Sequence, residues 1–150
     1  WRIVIFLKDV DRIIYLFNQT WKKIKIIWNW PDLEKLRHIA LPNVEFLLSV
    51  YWQDKYDIVA KSKWLISLWR ESFGMTAIEA LCQWVPVLCY SKSASSEFIC
   101  EKTWVACESL DIDQLEEKLD YFESKKWDRS NIQDLGRFRY NLHKKNVFIV

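Results

Sequence analysis

Residues 65–90 read LISLWRESFGMTAIEALCQWVPVLCY. Leu65–Leu68 and Val85–Tyr90 are short apolar runs of the kind that form strands covered on both faces. Between them Gly74, one of only 2 glycines in the chain, stands where a strand would turn into a helix. Strand, glycine turn, helix and strand make the unit of a parallel sheet, because parallel neighbours need a crossover and a helix supplies it.

The same alternation extends in both directions. Upstream, Arg2–Phe6, Lys23–Ile27 and Val44–Leu47 are expected strands, and downstream Val105–Cys107 is another. Val10, Ile13, Ile14 and Phe17 fall at helical spacing, as do Leu33, Leu36, Ile39 and Ala40, then Tyr56, Val59 and Ala60. Each set is one buried helix face. Pro31 opens a helix with Asp32 and Glu34 in its first turn, where proline and negative charge are favoured, and Pro42 with Asn43 closes it. From Asp111 the pattern is purely helical. Asp111 or Asp113 can cap, Leu115, Leu119 and Phe122 line one face, and an amphipathic stretch runs from Trp127 to His143. The charges from Glu116 to Lys126 read as a solvated helix face. The expected fold is α/β, a Rossmann-like doubly wound parallel sheet of about six strands with helices on both faces and C-terminal helices.

The 150 residues are one domain's worth of chain, 51% apolar and 28% charged, with 22 basic and 20 acidic side chains. This describes a soluble globular protein and neither a disordered chain nor a nucleic-acid coat. No nucleic-acid partner is expected. The chain starts at Trp1, inside an expected strand, and is expected to be a piece of a longer protein. Cys82, Cys89, Cys100 and Cys107 form no C-x-x-C and have no clustered histidines, so zinc is not expected and reduced thiols in a cytoplasmic protein are. No apolar run reaches the ~18 residues of a membrane span, and no signal-peptide pattern opens the chain.

In a doubly wound sheet the ligand binds beyond the carboxyl ends of the strands. Gly74 lets a backbone approach a ligand, and the amides of Met75, Thr76 and Ala77 are the spare donors of a helix N-terminus, suited to a phosphate. Glu71 precedes the turn and Glu79 lies about two helical turns beyond it. Carboxylates accept hydrogen bonds from hydroxyls, so a ligand combining phosphates with sugars suits this layout. Two ordinary helix-terminal glutamates are the other reading of the pair. His38 and His143 have no partnered nucleophile nearby and read as surface or capping residues. Ser95, Ser96 and Glu97 read as a helix start and are not placed in the site.

Together these features resemble the C-terminal, donor-binding domain of retaining GT-B glycosyltransferases, specifically glycosyltransferase family 4. E-S-F-G-M-T-A-I-E-A, Glu71 to Ala80, is similar to the family's E-x7-E signature, and L-C-Q-W-V-P-V-L continues it. Arg2 and Lys8 resemble the family's Arg and Lys six apart, and K-I-K-I-I-W-N-W-P-D-L-E-K-L resembles its strand, G-x-G-P and helix. The resemblance implies that Arg2 and Lys8 bind the donor's pyrophosphate and assist departure of the nucleoside diphosphate. It implies that Glu71 holds hydroxyls of the transferred sugar and Glu79 the ribose hydroxyls, with Phe73, Gly74, Met75 and Thr76 as further donor-binding residues. It implies a nucleotide-sugar as substrate, no metal and no cofactor, and retention by a front-face route. The acceptor site would belong to an N-terminal GT-B domain, through which alone any membrane association would arise.

The chain departs from that family in one respect. Trp1, Trp28, Trp30, Trp84 and Trp104, together with Trp64 and Leu48, stand at positions where the family carries glycine. There are 10 Trp and 2 Gly, where an average chain would hold about ten glycines. If six such positions require φ > 0, their strain totals about 6–18 kcal/mol, comparable to a domain's stability. Trp1, Trp28 and Trp30 would then fill the donor cleft or stack on a base, with Trp52 a further candidate for stacking, whereas Trp21 and Trp127 read as partly exposed packing residues. A Trp-plugged, non-catalytic or engineered scaffold and an interaction module with an exposed aromatic patch are the rival readings.

Overall fold

The computed structural model describes residues 3–5, 10–27, 32–48, 50–68, 70, 74–98 and 102–147. Six strands form one sheet: β1 (Ile3–Ile5), β2 (Ile24–Ile27), β3 (Val44–Leu47), β4 (Leu65–Ser67), β5 (Val87–Tyr90) and β6 (Trp104–Cys107). The helices are α1 (Val10–Thr20), α2 (Leu33–Ile39), α3 (Trp52–Ala60), α4 (Met75–Cys82), α5 (Ile112–Ser124) and α6 (Arg129–Val147), with a 3-10 helix at Ala94–Phe98. The order across the sheet is β3-β2-β1-β4-β5-β6. Every pairing is parallel, for example Ile3 with Lys25 and Leu65 with Val87. The doubly wound parallel sheet expected from the alternation is present, and each expected strand overlaps an observed one.

Strand residues alternate between two cores because successive side chains point to opposite faces. Ile24, Ile26, Ile66, Leu88 and Val105 join Ile13, Ile14 and Phe17 of α1, Leu36 of α2, and Leu115, Leu119 and Phe122 of α5. Leu65, Val87, Cys89 and Trp104 join Val59 of α3, Ala77, Ala80 and Leu81 of α4, and Ile132 of α6 on the other face. Both faces are covered, which explains why the strands carry apolar runs rather than strict alternation. Gly136 of α6 lies where an added Cβ would come within 2.7 Å of the Leu81 and Cys82 backbone. Its missing side chain lets α6 press directly onto α4.

The helix ends differ in part from expectation. Asp111 occupies the N-cap position of α5, yet its carboxylate accepts from Ser109 Oγ at 2.6 Å and makes no cap to the helix. The long helical stretch is interrupted, since α5 stops at Ser124 and α6 begins at Arg129. Ser95 is fully buried in the 3-10 helix. His38 is exposed, its Nδ1 lying 2.7 Å from the Glu34 carbonyl.

The tryptophans fall into distinct environments. Trp64 is 3% exposed and lies 6.3 Å from the Phe17 ring and 5.6 Å, edge-on, from Phe122. The Trp127 ring lies 4.8 Å from that of Phe122, tilted by 52°, and its indole N–H donates to the Phe122 carbonyl at 3.1 Å. Neither residue has positive φ. Trp104, buried inside β6, also has ordinary strand geometry, and Leu48 is not left-handed either. The condition of positive φ on which that strain depended does not hold at Trp64, Trp104 and Leu48. Trp104 lies within a buried strand and Trp64 just before one, where the side chain meets core, while Leu48, 41% exposed, follows β3 without a left-handed turn.

Among the described residues the non-glycine positions with positive φ are Trp84 at 61° and Trp21 at 51°. Trp84 ends α4 in a Schellman motif: its N–H donates to Leu81 O and the Val85 N–H to Ala80 O, both at 3.0 Å. That leaves Trp84 at the C′ position, where helices prefer glycine. Trp21 directly follows α1 and is 65% exposed, so it is no packing residue as its sequence context suggested. The strain at the two positions is about 2–6 kcal/mol, well below the figure for six. Trp1, Trp28 and Trp30, like the Trp52 side chain, lie outside the described residues.

Candidate functional site

The strand order reverses between β1 and β4: chain connections run outward from β1 to β3 on one side and from β4 to β6 on the other. Connections leaving adjacent strands in opposite directions open a crevice at their carboxyl ends, the place where ligands bind in this architecture. Two segments leave that point. Residues 6–9, which include Lys8, join β1 to α1, and residues 68–74, which include Glu71, Phe73 and Gly74, join β4 to α4. Lys8, Glu71 and Phe73 themselves lie outside the described residues, as does Arg2. In chain order Arg2 precedes β1, so Lys8 is the cation of that pair that follows the strand.

Gly74 is buried and left-handed, with φ 67° and ψ 18°, at the N-cap of α4. Only glycine takes this conformation without strain. The first amide returning to the α4 ladder is that of Ile78, which donates to Gly74 O at 3.1 Å. The amides of Met75, Thr76 and Ala77 precede it and stand outside the helical ladder by geometry. Ala77 and Ile78 are fully buried, whereas Met75 and Thr76 are half-buried. Helical spacing places Glu79 one turn beyond Thr76 on this same flank.

Glu79 is half-buried and held from α3. Lys55 Nζ lies 2.7 Å from its Oε2, and the Tyr56 hydroxyl, 3.4 Å from Oε1, donates to that oxygen. The Lys55 ammonium also sits 5.3 Å from the centre of the Tyr56 ring. Burial, followed by the negative charge of Glu79, raises the Tyr56 phenol above its usual range, so the hydroxyl stays a donor. These α3 partners were not singled out in the sequence. The available signal was Lys55 four residues before Val59, which places a lysine on the inner stripe of its helix.

Gly74, Met75 and Thr76 thus open α4 and Glu79 lies one turn further along its flank, with Glu71 and Phe73 just before them in the chain. Among the described residues no three His, Cys, Asp or Glu side chains gather as metal ligands, and no helix is long and apolar enough to cross a membrane. Cys82 and Cys107 carry free thiols.

Several solved structures share this fold. The C-terminal domain of a glycosyl transferase group 1 family protein (LpcC) from Francisella tularensis superposes with a TM-score of 0.75 at 20% identity, over 93% of this chain and 86% of that one. Anabaena Alr3699/HepE, solved in complex with UDP and glucose, gives 0.78 at 13% identity, over 97% of this chain and 46% of its own. A glycosyltransferase from Rickettsia africae gives 0.68 at 14% identity, over 99% and 48%. The chain therefore spans about half the length of the latter two proteins. None of the curated proteins compared with the chain matches it. The sequence model of one family, Glycosyl transferases group 1, matches residues 8–139, and the chain belongs to that family of glycosyltransferases.

Proposed function

We propose that this domain is the donor-binding half of a retaining glycosyltransferase, taking a nucleotide-sugar in the crevice between β1 and β4. The observation that carries the reading is the left-handed Gly74 at this switch point, which opens α4 and sets Glu79 on its flank. The amides of Met75 and Thr76 would meet the diphosphate, Phe73 and Gly74 would add main-chain contacts, and Glu79 would accept hydrogen bonds from the ribose. Glu71 would hold hydroxyls of the transferred sugar. Lys8, with Arg2 as the second cation of the family pattern, would compensate the charge that grows on the diphosphate as its bond to the anomeric carbon breaks. An acceptor hydroxyl would then bond to that carbon from the same face and pass its proton to the departing diphosphate oxygen, giving retention. No metal is needed where cations supply this charge. The acceptor, a glycan, lipid or polysaccharide precursor, would be presented by a second domain in a cytoplasmic enzyme.

Titration of intrinsic tryptophan fluorescence with UDP, GDP and ADP tests the reading. One diphosphate is expected to bind saturably, and Lys8→Ala and Glu79→Ala are each expected to weaken it about tenfold or more. A folded chain that responds to none of the three would remove the donor-site reading.

A further inference from the structure

Lys55 is 8% exposed, and its ammonium reaches from α3 to the Glu79 carboxylate on α4. A buried ion pair contributes little net stability, because desolvating both charges offsets their attraction. What such a pair does well is fix geometry. The Glu79 carboxylate has two oxygens and about four lone-pair sites. Lys55 takes a site on Oε2 and Tyr56 one on Oε1, both from the α3 side, leaving capacity on each oxygen for a pair of adjacent hydroxyls.

We propose that Lys55 is a positioning residue which, with Tyr56, presets the Glu79 carboxylate to receive the two vicinal hydroxyls of a nucleotide ribose. This rests on the donor-site reading above. The charged Lys55 hydrogen bond holds Glu79 in one rotamer before ligand arrives, so the ordering cost is met in the free protein. Selectivity for ribose over 2′-deoxyribose follows, since a carboxylate fixed to meet two hydroxyls loses one contact when the 2′-hydroxyl is missing.

The experiment compares the diphosphate selected above with its 2′-deoxy form and with inorganic pyrophosphate, on the unmodified chain, Lys55→Met, Lys55→Arg and Glu79→Gln. Lys55→Met is expected to weaken the ribonucleotide about tenfold, to shrink the ribo-to-deoxy ratio, and to leave pyrophosphate binding unchanged. Lys55→Arg is expected to recover most of the ratio. Should Lys55→Met not fold, Lys55→Gln, polar but uncharged, carries the same comparison. If Glu79→Gln collapses the ratio while the lysine variants retain it, the role of Lys55 is overturned and the ribose reading stands. If Glu79→Gln leaves the ratio intact, the ribose reading itself falls.

The tryptophans support a separate inference. Trp21 directly follows α1 and Trp84 sits at the C′ position of α4, both in left-handed geometry; the Trp21 indole, 65% exposed, gains little burial in return for the strain, and the Trp84 indole, 41% exposed, gains only part of what a core tryptophan does. Trp104 is buried, but its indole N–H has no hydrogen-bond partner among the described residues. Trp64 and Trp127 instead pack with aromatic neighbours as tryptophans do. A shortfall of about eight glycines matches the tryptophan excess, with 2 Gly and 10 Trp in the chain. We infer that the natural gene carries, at Trp21 and Trp84, a codon that its own cell decodes as glycine. UGA is such a codon, read as tryptophan by some translation systems and as glycine by others. Peptides 13–22 and 71–92 of the protein from its own cell, weighed by mass spectrometry, are expected to carry glycine at positions 21 and 84. The double variant Trp21→Gly, Trp84→Gly is expected to melt several degrees above the tryptophan chain. Tryptophan in both natural peptides would overturn the inference.

Discussion

Trp64→Ala is expected to destabilise the domain by about 3–5 kcal/mol. The indole is 3% exposed and joins α1, β4 and α5 through Phe17 and Phe122. Truncation removes both the transfer free energy of the ring and its aromatic contacts, and leaves a cavity whose walls belong to three separate elements. Such walls collapse poorly, so the loss belongs to the upper part of the core-truncation range. In a chain of this length the thermal midpoint should fall by roughly 6–20 °C. Circular dichroism melting of the variant checks this. A fall of under about 0.5 kcal/mol, the usual effect of a surface change, would show that Trp64 is not a core residue.

Gly136→Ala carries the second large effect, of about 3 kcal/mol, at the upper end for overpacking. The added methyl would lie 2.7 Å from the Leu81 carbonyl carbon, the Cys82 nitrogen and the Leu81 Cβ. Backbone cannot rotate away as a flexible side chain does, so α6 must separate from α4. Ile132 and Gln133 of α6 move with it, the latter donating from Nε2 to the Cys82 carbonyl at 3.1 Å. Because α4 bears Glu79, the nucleotide affinity proposed above should fall together with stability. Urea unfolding and the nucleotide titration, run on the same variant, measure both. An unchanged midpoint would mean that the helices are not in backbone contact.

Both effects depend on tertiary neighbours, and this separates what was legible in the chain from what was not. Val44–Leu47 and Leu65–Leu68 announced their strands because a short apolar run bounded by turn residues has few other ways to bury itself. The Gly74 turn was legible for a similar reason: glycine is scarce here, and a strand-to-helix turn requires left-handed backbone. The end of α5 at Ser124 was not, since Lys125 and Lys126 continue a helical charge pattern and the break is set by Trp127 docking onto Phe122.

The tryptophans show the same division. Composition exposed the excess and family spacing marked Trp64, Trp84 and Trp104, but only backbone angles and burial separate Trp84, and with it the unmarked Trp21, from Trp64 and Trp104. Lys55 shows it at the candidate site. A lysine on a helix reads as solvated, and only the approach of α3 to α4 turns it into the partner of Glu79. The parallel α/β architecture, the order of its elements and the glycine turn can be read along the chain, because periodicity and local backbone preference act over a few neighbouring residues. Tertiary structure decided which tryptophans are core, where the strand order reverses and which side chains face Glu79. Those outcomes arise from contacts between residues far apart in the chain, whose meeting no local pattern encodes.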